Sequence, residues 1–194
     1  MNNFFLYRIK KDIEDLRELK LVDSYKIIYE EKTFYDNSQN ANLNEIFLEL
    51  DRRYKDKLKL YFMFKLSFDN EYYSNTYSFE VVFTDEYPFE SPKVYCNTRT
   101  FHPNIYAMSS HTNSYKGSVC LNILRLGWMP SFNINSIVVS LIDAFESIST
   151  IEPFDLEAAK LFNEDPVEFK HKIKMTENIF MSEDPNDNSA DGTS

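Results

Sequence analysis

A strict alternation of apolar and more polar side chains over residues 57–68 is the feature that most constrains this fold. Successive side chains of a β-strand point to opposite faces, so this period of two predicts a strand with one apolar face. A turn at Asp69-Asn70-Glu71 and a second alternating stretch, 77–83, then predict an antiparallel meander. The apolar face comprises Leu58, Leu60, Phe62, Phe64, Leu66 and Phe68.

Two shorter segments complete the predicted sheet. Residues 24–30 are a strand candidate, and Lys93–Cys96 is predicted as a short fourth strand after the Pro-rich turn 87–92. The Asn-rich segment 34–45 is expected to be a loop. Residues 97–132 show little periodicity, and an irregular stretch of this length in a compact domain is usually functional.

Four helices are predicted from apolar residues at steps of three and four. The first spans residues 4–20, and the others begin after Asn133, Asp155 and Asp165, each of which can cap a helix. Strands grouped apart from helices indicate an α+β fold. The expected apolar faces comprise Leu6, Ile9, Ile13, Leu16 and Leu19 in the first helix, Leu156, Ala159 and Phe162 in the third, and Phe169, Ile173 and Phe180 in the fourth.

The composition narrows the function classes. One folded domain is expected over residues 1–181, with a disordered polar tail over 182–194. A net charge of -10 disfavours nucleic acid as a partner, and without a long apolar run no membrane partner is expected. Two cysteines make no disulfide framework, which favours a reduced compartment, the cytoplasm and/or nucleus. The histidines and cysteines lack zinc-like spacing, so neither a metal nor a cofactor is expected.

Cys120, inside the irregular stretch, is a candidate nucleophile because cysteine is intrinsically nucleophilic. From composition alone, a cysteine beside Val119 and Leu121 is more often a small buried hydrophobe. A third alternative is a Cys–His hydrolase that pairs Cys120 with His102 or His111. Nothing in the sequence shows that either imidazole reaches the sulfur.

Five motifs occur in order within residues 6–180. They are Arg8-Ile9-Lys10-Lys11-Asp12-Ile13, the proline turn 87–94, His102-Pro103-Asn104, Cys120-Leu121-Asn122-Ile123-Leu124, and Trp128 with Pro130. In that order, and mostly at the family's spacing, they resemble the motifs of ubiquitin-conjugating enzymes, and the set is more specific than any one of them. The resemblance implies a ubiquitin-conjugating catalytic domain with an N-terminal helix, a four-stranded antiparallel meander and three C-terminal helices.

A narrower set of matches points to one branch of that family. They are Arg8-Ile9-Lys10-Lys11-Asp12-Ile13, Cys96 in Pro92-Lys93-Val94-Tyr95-Cys96, Cys120-Leu121-Asn122-Ile123-Leu124-Arg125, Ile134-Asn135-Ser136-Ile137 and Glu157-Ala158-Ala159. Through them the chain is most similar to the neddylation branch, which conjugates the Nedd-type modifier. The implied partners are a ubiquitin-like modifier, its activating enzyme in an ATP-dependent pathway, a RING-type ligase, and a substrate lysine, on a cullin if the branch is right. The alternatives are a ubiquitin-conjugating enzyme proper and a non-catalytic modifier-binding adaptor, although such adaptors characteristically lack the cysteine.

The chain departs from the family in two places near its motifs. His102 and Cys120 lie eighteen positions apart, more than the family's usual spacing. The extra residues, roughly Ala107–Lys116, are mostly polar, so we expect a surface loop with little role in stability. Only seven residues precede Arg8, whereas neddylation enzymes carry a longer N-terminal arm that docks on the activating enzyme.

The resemblance also implies roles for residues of the site. Cys120 takes the modifier as a thioester and passes it to a lysine. Asn104 matches the family asparagine that stabilises the oxyanion or holds the active-site loop, while His102 and Pro103 are structural. Glu152 occupies an acidic gate position that orients the incoming lysine, although the residue type alone fits an ordinary exposed acid.

Two docking surfaces are implied in the same way. Phe89, Pro130 and Ser131 match the two loops on which ligases dock. Arg8 and Lys11 match positions of the first helix that contact the activating enzyme. Without the resemblance, the same residues fit ordinary loop packing and a solvated helix face.

Overall fold

A computed structural model describes residues 4–29, 32–36, 42–53, 60–108 and 116–183. Residues 184–194, most of the predicted tail, lie outside these ranges, and the domain boundary at 181 stays a prediction. The helices are α1 Phe4–Leu19, α2 Leu43–Arg53, α3 Ile134–Glu146, α4 Leu156–Glu164 and α5 Pro166–Glu183. The strands are β1 Ser24–Tyr29, β2 Lys32–Asp36, β3 Leu60–Ser67, β4 Thr76–Phe83, β5 Lys93–Cys96, β6 Ile105–Met108 and β7 Lys116–Val119. The strands pair antiparallel in the order β2-β1-β3-β4-β5-β7-β6, which confirms the predicted α+β class.

The alternating segment forms β3, and its apolar face lies at the centre of the core. Phe64 lies opposite Phe79 of β4, with the ring centroids 5.6 Å apart. α3 packs against this face through Phe145, whose ring is 4.5 Å from that of Phe68. Leu58 lies outside the described residues. The buried members of the predicted face are Leu60, Phe62, Phe64, Leu66 and Phe68.

The stretch 97–132 is more regular than its lack of periodicity predicts. β6 and β7 form a hairpin that joins the sheet through β5, so the meander of four strands is extended to seven described strands. Each hairpin strand has only four residues, too few for a period of two to stand out. Lys116, expected in a surface loop, belongs to β7 and pairs with Glu80 at 2.5 Å. Residues 109–115 lie outside the described ranges.

The Asn-rich segment 34–45 is a loop only in part. Its first residues belong to β2, and its end opens α2, a helix that the sequence analysis did not predict. Residues 37–41 are outside the described part of the chain. The buried side chains of α2 are Leu43, Phe47 and Leu50, at steps of four and three, so the helical period was present among polar neighbours.

The predicted helix caps are confirmed. The Asn133 side chain accepts the backbone N–H of Ser136 at 3.0 Å, and the Ser136 hydroxyl accepts that of Asn133, which completes a capping box. The carboxylates of Asp155 and Asp165 each accept a backbone N–H three residues further on, both at 3.0 Å. These caps fix where α3, α4 and α5 begin.

Two predicted core residues are exposed instead. Leu19 is 55% exposed and Leu156 74% exposed, and each stands at the end of its helix, where the apolar face runs past its packing partner. Phe169 and Ile173 of α5 are fully buried as predicted, whereas the side chain of Phe180 is outside the described residues. Among the described helices, none is long and apolar enough to span a bilayer.

Candidate active site

His102 fixes the turn that leads into the site. Its fully buried imidazole donates from Nε2 to the Ala144 carbonyl at 3.0 Å and accepts the Asn104 N–H at Nδ1, at 2.9 Å. Burial lowers the pKa of His102 to about 4, so the ring is neutral. Both nitrogens bond to backbone groups, so His102 is not placed to take a proton from Cys120. His111, the other histidine considered for a hydrolase, lies outside the described residues.

Cys120 follows the last residue of β7 and is partly exposed. Its backbone N–H donates to the Asn104 carbonyl at 2.9 Å, which holds the cysteine against the His-Pro-Asn turn. Cys96, by contrast, is fully buried, and its thiol donates to the Thr98 carbonyl at 3.2 Å. Burial raises the pKa of Cys96 to about 12, which keeps that thiol protonated. Cys120 is therefore the accessible thiol of the chain.

The segment around Glu152 is attached to the same turn. The Pro103 carbonyl accepts the backbone N–H of Phe154 at 2.7 Å and that of Asp155 at 2.9 Å. Glu152 itself is exposed and has a φ of 52°, a conformation that costs a non-glycine residue about 1 kcal/mol. The roles of the Glu152 carboxylate and of the largely buried Asn104 amide stay predictions.

Arg125, which the sequence analysis named only as the last residue of the motif that begins at Cys120 and without a role, lies beside the thiol. Its Nη1 is 3.6 Å from Sγ of Cys120. The chain turns back after Cys120 through a 3₁₀ turn over Asn122–Leu124, and the Asn122 carbonyl accepts the N–H groups of both Arg125 and Gly127. The arginine ends the motif that begins at Cys120, but no periodicity predicts which way its side chain points after a 3₁₀ turn.

The residues predicted to dock a ligase lie on two joined loops. Phe89, Pro130 and Ser131 are all exposed. The indole N–H of Trp128 donates to the Pro88 carbonyl at 2.8 Å, which ties the two loops together. The structure thus brings together two loops that are far apart in sequence, and docking on them stays a prediction.

The two residues predicted to contact the activating enzyme have different surroundings. Arg8 donates to Asp12 at 2.7 Å, to the Pro130 carbonyl at 2.7 Å and to the Phe132 carbonyl at 2.5 Å, so it ties α1 to the second ligase loop. Burial is the main cause of the raised pKa of Asp12. Lys11 has a 56% exposed side chain and pairs along the helix surface with Asp15 at 2.8 Å. Lys11 is therefore the more accessible cation.

The described residues contain no group of three or more His, Cys, Asp or Glu side chains arranged to hold a metal ion. These residues supply an accessible thiol with a cation beside it. The backbone of Asn104 bonds to Cys120, and the segment that carries Glu152 bonds to the same turn.

Comparison with known proteins agrees with the motifs. A family model described as ubiquitin-conjugating enzyme matches residues 28–177. The NEDD8-conjugating enzyme UBC12 of Kluyveromyces lactis is 35% identical over 170 residues, which cover 87% of this chain and 73% of the relative. The NEDD8-conjugating enzyme Ubc12 of Dictyostelium discoideum is 29% identical, with 85% and 74% covered. The solved structure of S. cerevisiae Ubc12 has a TM-score of 0.63 and 28% identity, with 89% of this chain and 76% of that chain covered. The predicted resemblance and the predicted ubiquitin-conjugating fold are confirmed.

Proposed function

Because this chain belongs to the ubiquitin-conjugating enzyme family, we propose that it carries the NEDD8 modifier as a thioester on Cys120 and passes it to a lysine. The observation that carries the proposal is the accessible thiol of Cys120, bonded through its backbone to the His-Pro-Asn turn, while Cys96 is buried. The relatives named above are NEDD8-conjugating enzymes, which favours that modifier over ubiquitin.

The proposed reaction consists of two acyl transfers. In the first, the Cys120 sulfur attacks the modifier's C-terminal carbonyl, a new C–S bond forms, and the sulfur of the activating enzyme leaves with its electron pair. In the second, a lysine amine attacks the same carbonyl, a C–N bond forms, the C–S bond breaks with its electrons returning to Cys120, and the amine loses a proton. Thioesters are already activated, so the protein mainly supplies positioning and oxyanion stabilisation, without a cofactor.

Two side chains assist the second transfer in this proposal. The Asn104 amide donates to the oxyanion, and the Glu152 carboxylate orients the incoming lysine and helps to remove its proton. The hydrogen bonds from Phe154 and Asp155 to Pro103 support a place for Glu152 beside the His-Pro-Asn turn.

The partners follow from the exposed surfaces. We assign a RING-type ligase to Phe89, Pro130 and Ser131, and the activating enzyme to α1 through Lys11, with Arg8 supporting the neighbouring loop. The substrate lysine belongs to a cullin, as expected for neddylation. A thiol used in this way needs a reducing compartment, which supports the cytoplasm and/or nucleus.

A charging assay tests the proposal. The chain, NEDD8, the NEDD8-activating enzyme and ATP should give an adduct that survives a non-reducing gel and is lost with reductant. Cys120→Ser should give a slower, reductant-resistant ester, and Cys96→Ser should charge like the parent protein. Full charging of Cys120→Ala would show that another residue is the nucleophile. No adduct of the parent protein with NEDD8, and none with ubiquitin and the ubiquitin-activating enzyme, would favour a non-catalytic adaptor.

A further inference from the structure

We infer that Arg125 is a further catalytic residue, whose guanidinium stabilises negative charge on the Cys120 sulfur both when it attacks and when it leaves. The inference rests on the proposed thioester at Cys120 and adds a group to that site. Nη1 of Arg125 lies 3.6 Å from Sγ, the atom that reacts. An arginine keeps its charge over the whole physiological pH range, so the cation is always present.

The guanidinium of Arg125 is available to the sulfur. Within the described ranges the guanidinium forms no ion pair with a carboxylate, and its polar contact there is the Cys120 thiol. Arg8 shows the contrast, because its guanidinium bonds Asp12 and two loop carbonyls. A paired arginine has its field largely cancelled at short range, whereas an unpaired one acts on whatever faces it.

The turn that precedes the arginine is fixed by several hydrogen bonds. The Asn122 carbonyl accepts the N–H of Arg125 at 3.0 Å and that of Gly127 at 3.1 Å. A Cβ at Gly127 would lie 3.0 Å from that same carbonyl oxygen, so a larger residue would push the turn open by a few tenths of an ångström. The Ser91 hydroxyl donates to the Leu124 carbonyl at 2.8 Å and ties the turn to the proline loop. The backbone of Arg125 is therefore held in place beside the cysteine.

The charge of the chain explains why a nearby cation matters. A net charge of -10 disfavours a thiolate on the surface, and only a cation well inside the screening length offsets that locally. At 3.6 Å, Arg125 is far inside the Debye length of about 10 Å at 0.1 M salt. In the second transfer the electron pair of the broken C–S bond returns to the sulfur, so the same contact stabilises the leaving group.

Alkylation of the full chain by iodoacetamide tests the inference without any modifier. The proteins compared are the parent chain, Arg125→Gln, Arg125→Lys and the control Arg52→Gln. Arg52 is on α2 with a 68% exposed side chain, so its replacement changes the net charge equally. Cys96 is buried and contributes no fast signal.

At pH 7.5 and low salt, Cys120 of Arg125→Gln should react with iodoacetamide about twofold to fivefold more slowly than Cys120 of the parent, as for an exposed charge pair. Arg125→Lys should be intermediate, and Arg52→Gln should match the parent.

The salt dependence of the alkylation rate distinguishes an effect of the Arg125 charge from an effect of the shape of its side chain. At 1 M salt, where the Debye length is about 3 Å, the parent and Arg125→Gln should react at nearly the same rate. Equal rates for Arg125→Gln and Arg52→Gln at low salt would overturn the inference, as would a defect in Arg125→Gln that 1 M salt leaves unchanged. Because neither modifier nor activating enzyme is present, a chain that fails to take NEDD8 can still pass this test, so the two failures are distinguishable.

Discussion

Asn104 joins two parts of the site through its backbone, whatever its side chain does in the reaction. Its N–H donates to His102, and its carbonyl accepts the N–H of Cys120. Replacement of the side chain leaves both bonds in place, so the chemistry of the amide can be tested apart from the shape of the turn.

We expect Asn104→Ala to slow transfer to lysine by about 100-fold and to change charging little, because one oxyanion donor is lost. Single-turnover discharge of the preformed thioester to free lysine measures the transfer, and adduct formation measures charging. Asn44→Ala, exposed on α2, is the control and should leave both rates unchanged. Small and equal effects on the two steps would remove the Asn104 side chain from the chemistry.

The thiol could be predicted from sequence, and the contacts of Arg8 and Arg125 could not. The motifs around Cys120 keep their order and most of their spacing even though the insertion separates two of them, so together they identified the residue. The partners of Arg8 are backbone carbonyls of residues 130 and 132, which no side-chain pattern marks. Arg125 reaches the sulfur only because a 3₁₀ turn reverses the chain, and three residues are too few to show a period.

At the scale of elements, Arg8 ties α1 to the loop that carries Pro130. We expect Arg8→Ala to lower the free energy of unfolding by about 2–4 kcal/mol, because the buried Asp12 carboxylate loses its cation and two carbonyls lose a charged donor. The hydroxyl of Tyr87 also donates to Asp12, and that bond persists in the variant. Lys11→Ala should change stability by less than about 0.5 kcal/mol, as for an exposed residue. Urea unfolding at neutral pH measures both.

The variants Arg8→Ala and Lys11→Ala also distinguish a residue that stabilises the fold from a residue that binds the activating enzyme. If the activating enzyme binds α1, Lys11→Ala should slow charging at limiting activating enzyme while its urea midpoint stays that of the parent. An unchanged charging rate for Lys11→Ala would remove Lys11 from that surface. A loss below about 0.5 kcal/mol for Arg8→Ala would contradict its structural role.

The sequence predicted the long strand β3 and the capped helices correctly, and it did not predict α2 or the short strands β6 and β7. β3 has eight residues of alternating burial, and the caps at Asn133, Asp155 and Asp165 follow local chemistry. α2 was missed because the residues that precede it are rich in asparagine, which is typical of a loop. β6 and β7 were missed because each has only four residues. Short strands are defined by pairing with distant residues, which the local sequence does not encode.

At the scale of the whole molecule, the choice of modifier is a property of the surface rather than of one residue. The match to the Kluyveromyces lactis relative covers 87% of this chain, so it extends over the body of the domain and not only the cysteine motif. Activating enzymes choose partners by summed contacts, and a tenfold preference needs only about 1.4 kcal/mol. Differences spread over such a surface are sufficient to select NEDD8.

Side-by-side charging is the most direct test of the central claim. The chain is incubated with NEDD8 and the NEDD8-activating enzyme, and in parallel with ubiquitin and the ubiquitin-activating enzyme, at equal concentrations and with ATP. The predicted result is a reductant-sensitive adduct on Cys120 that forms at least about tenfold faster with NEDD8. Efficient loading by ubiquitin with none by NEDD8 would contradict the proposed function, although the fold and the place of Cys120 in it would stand.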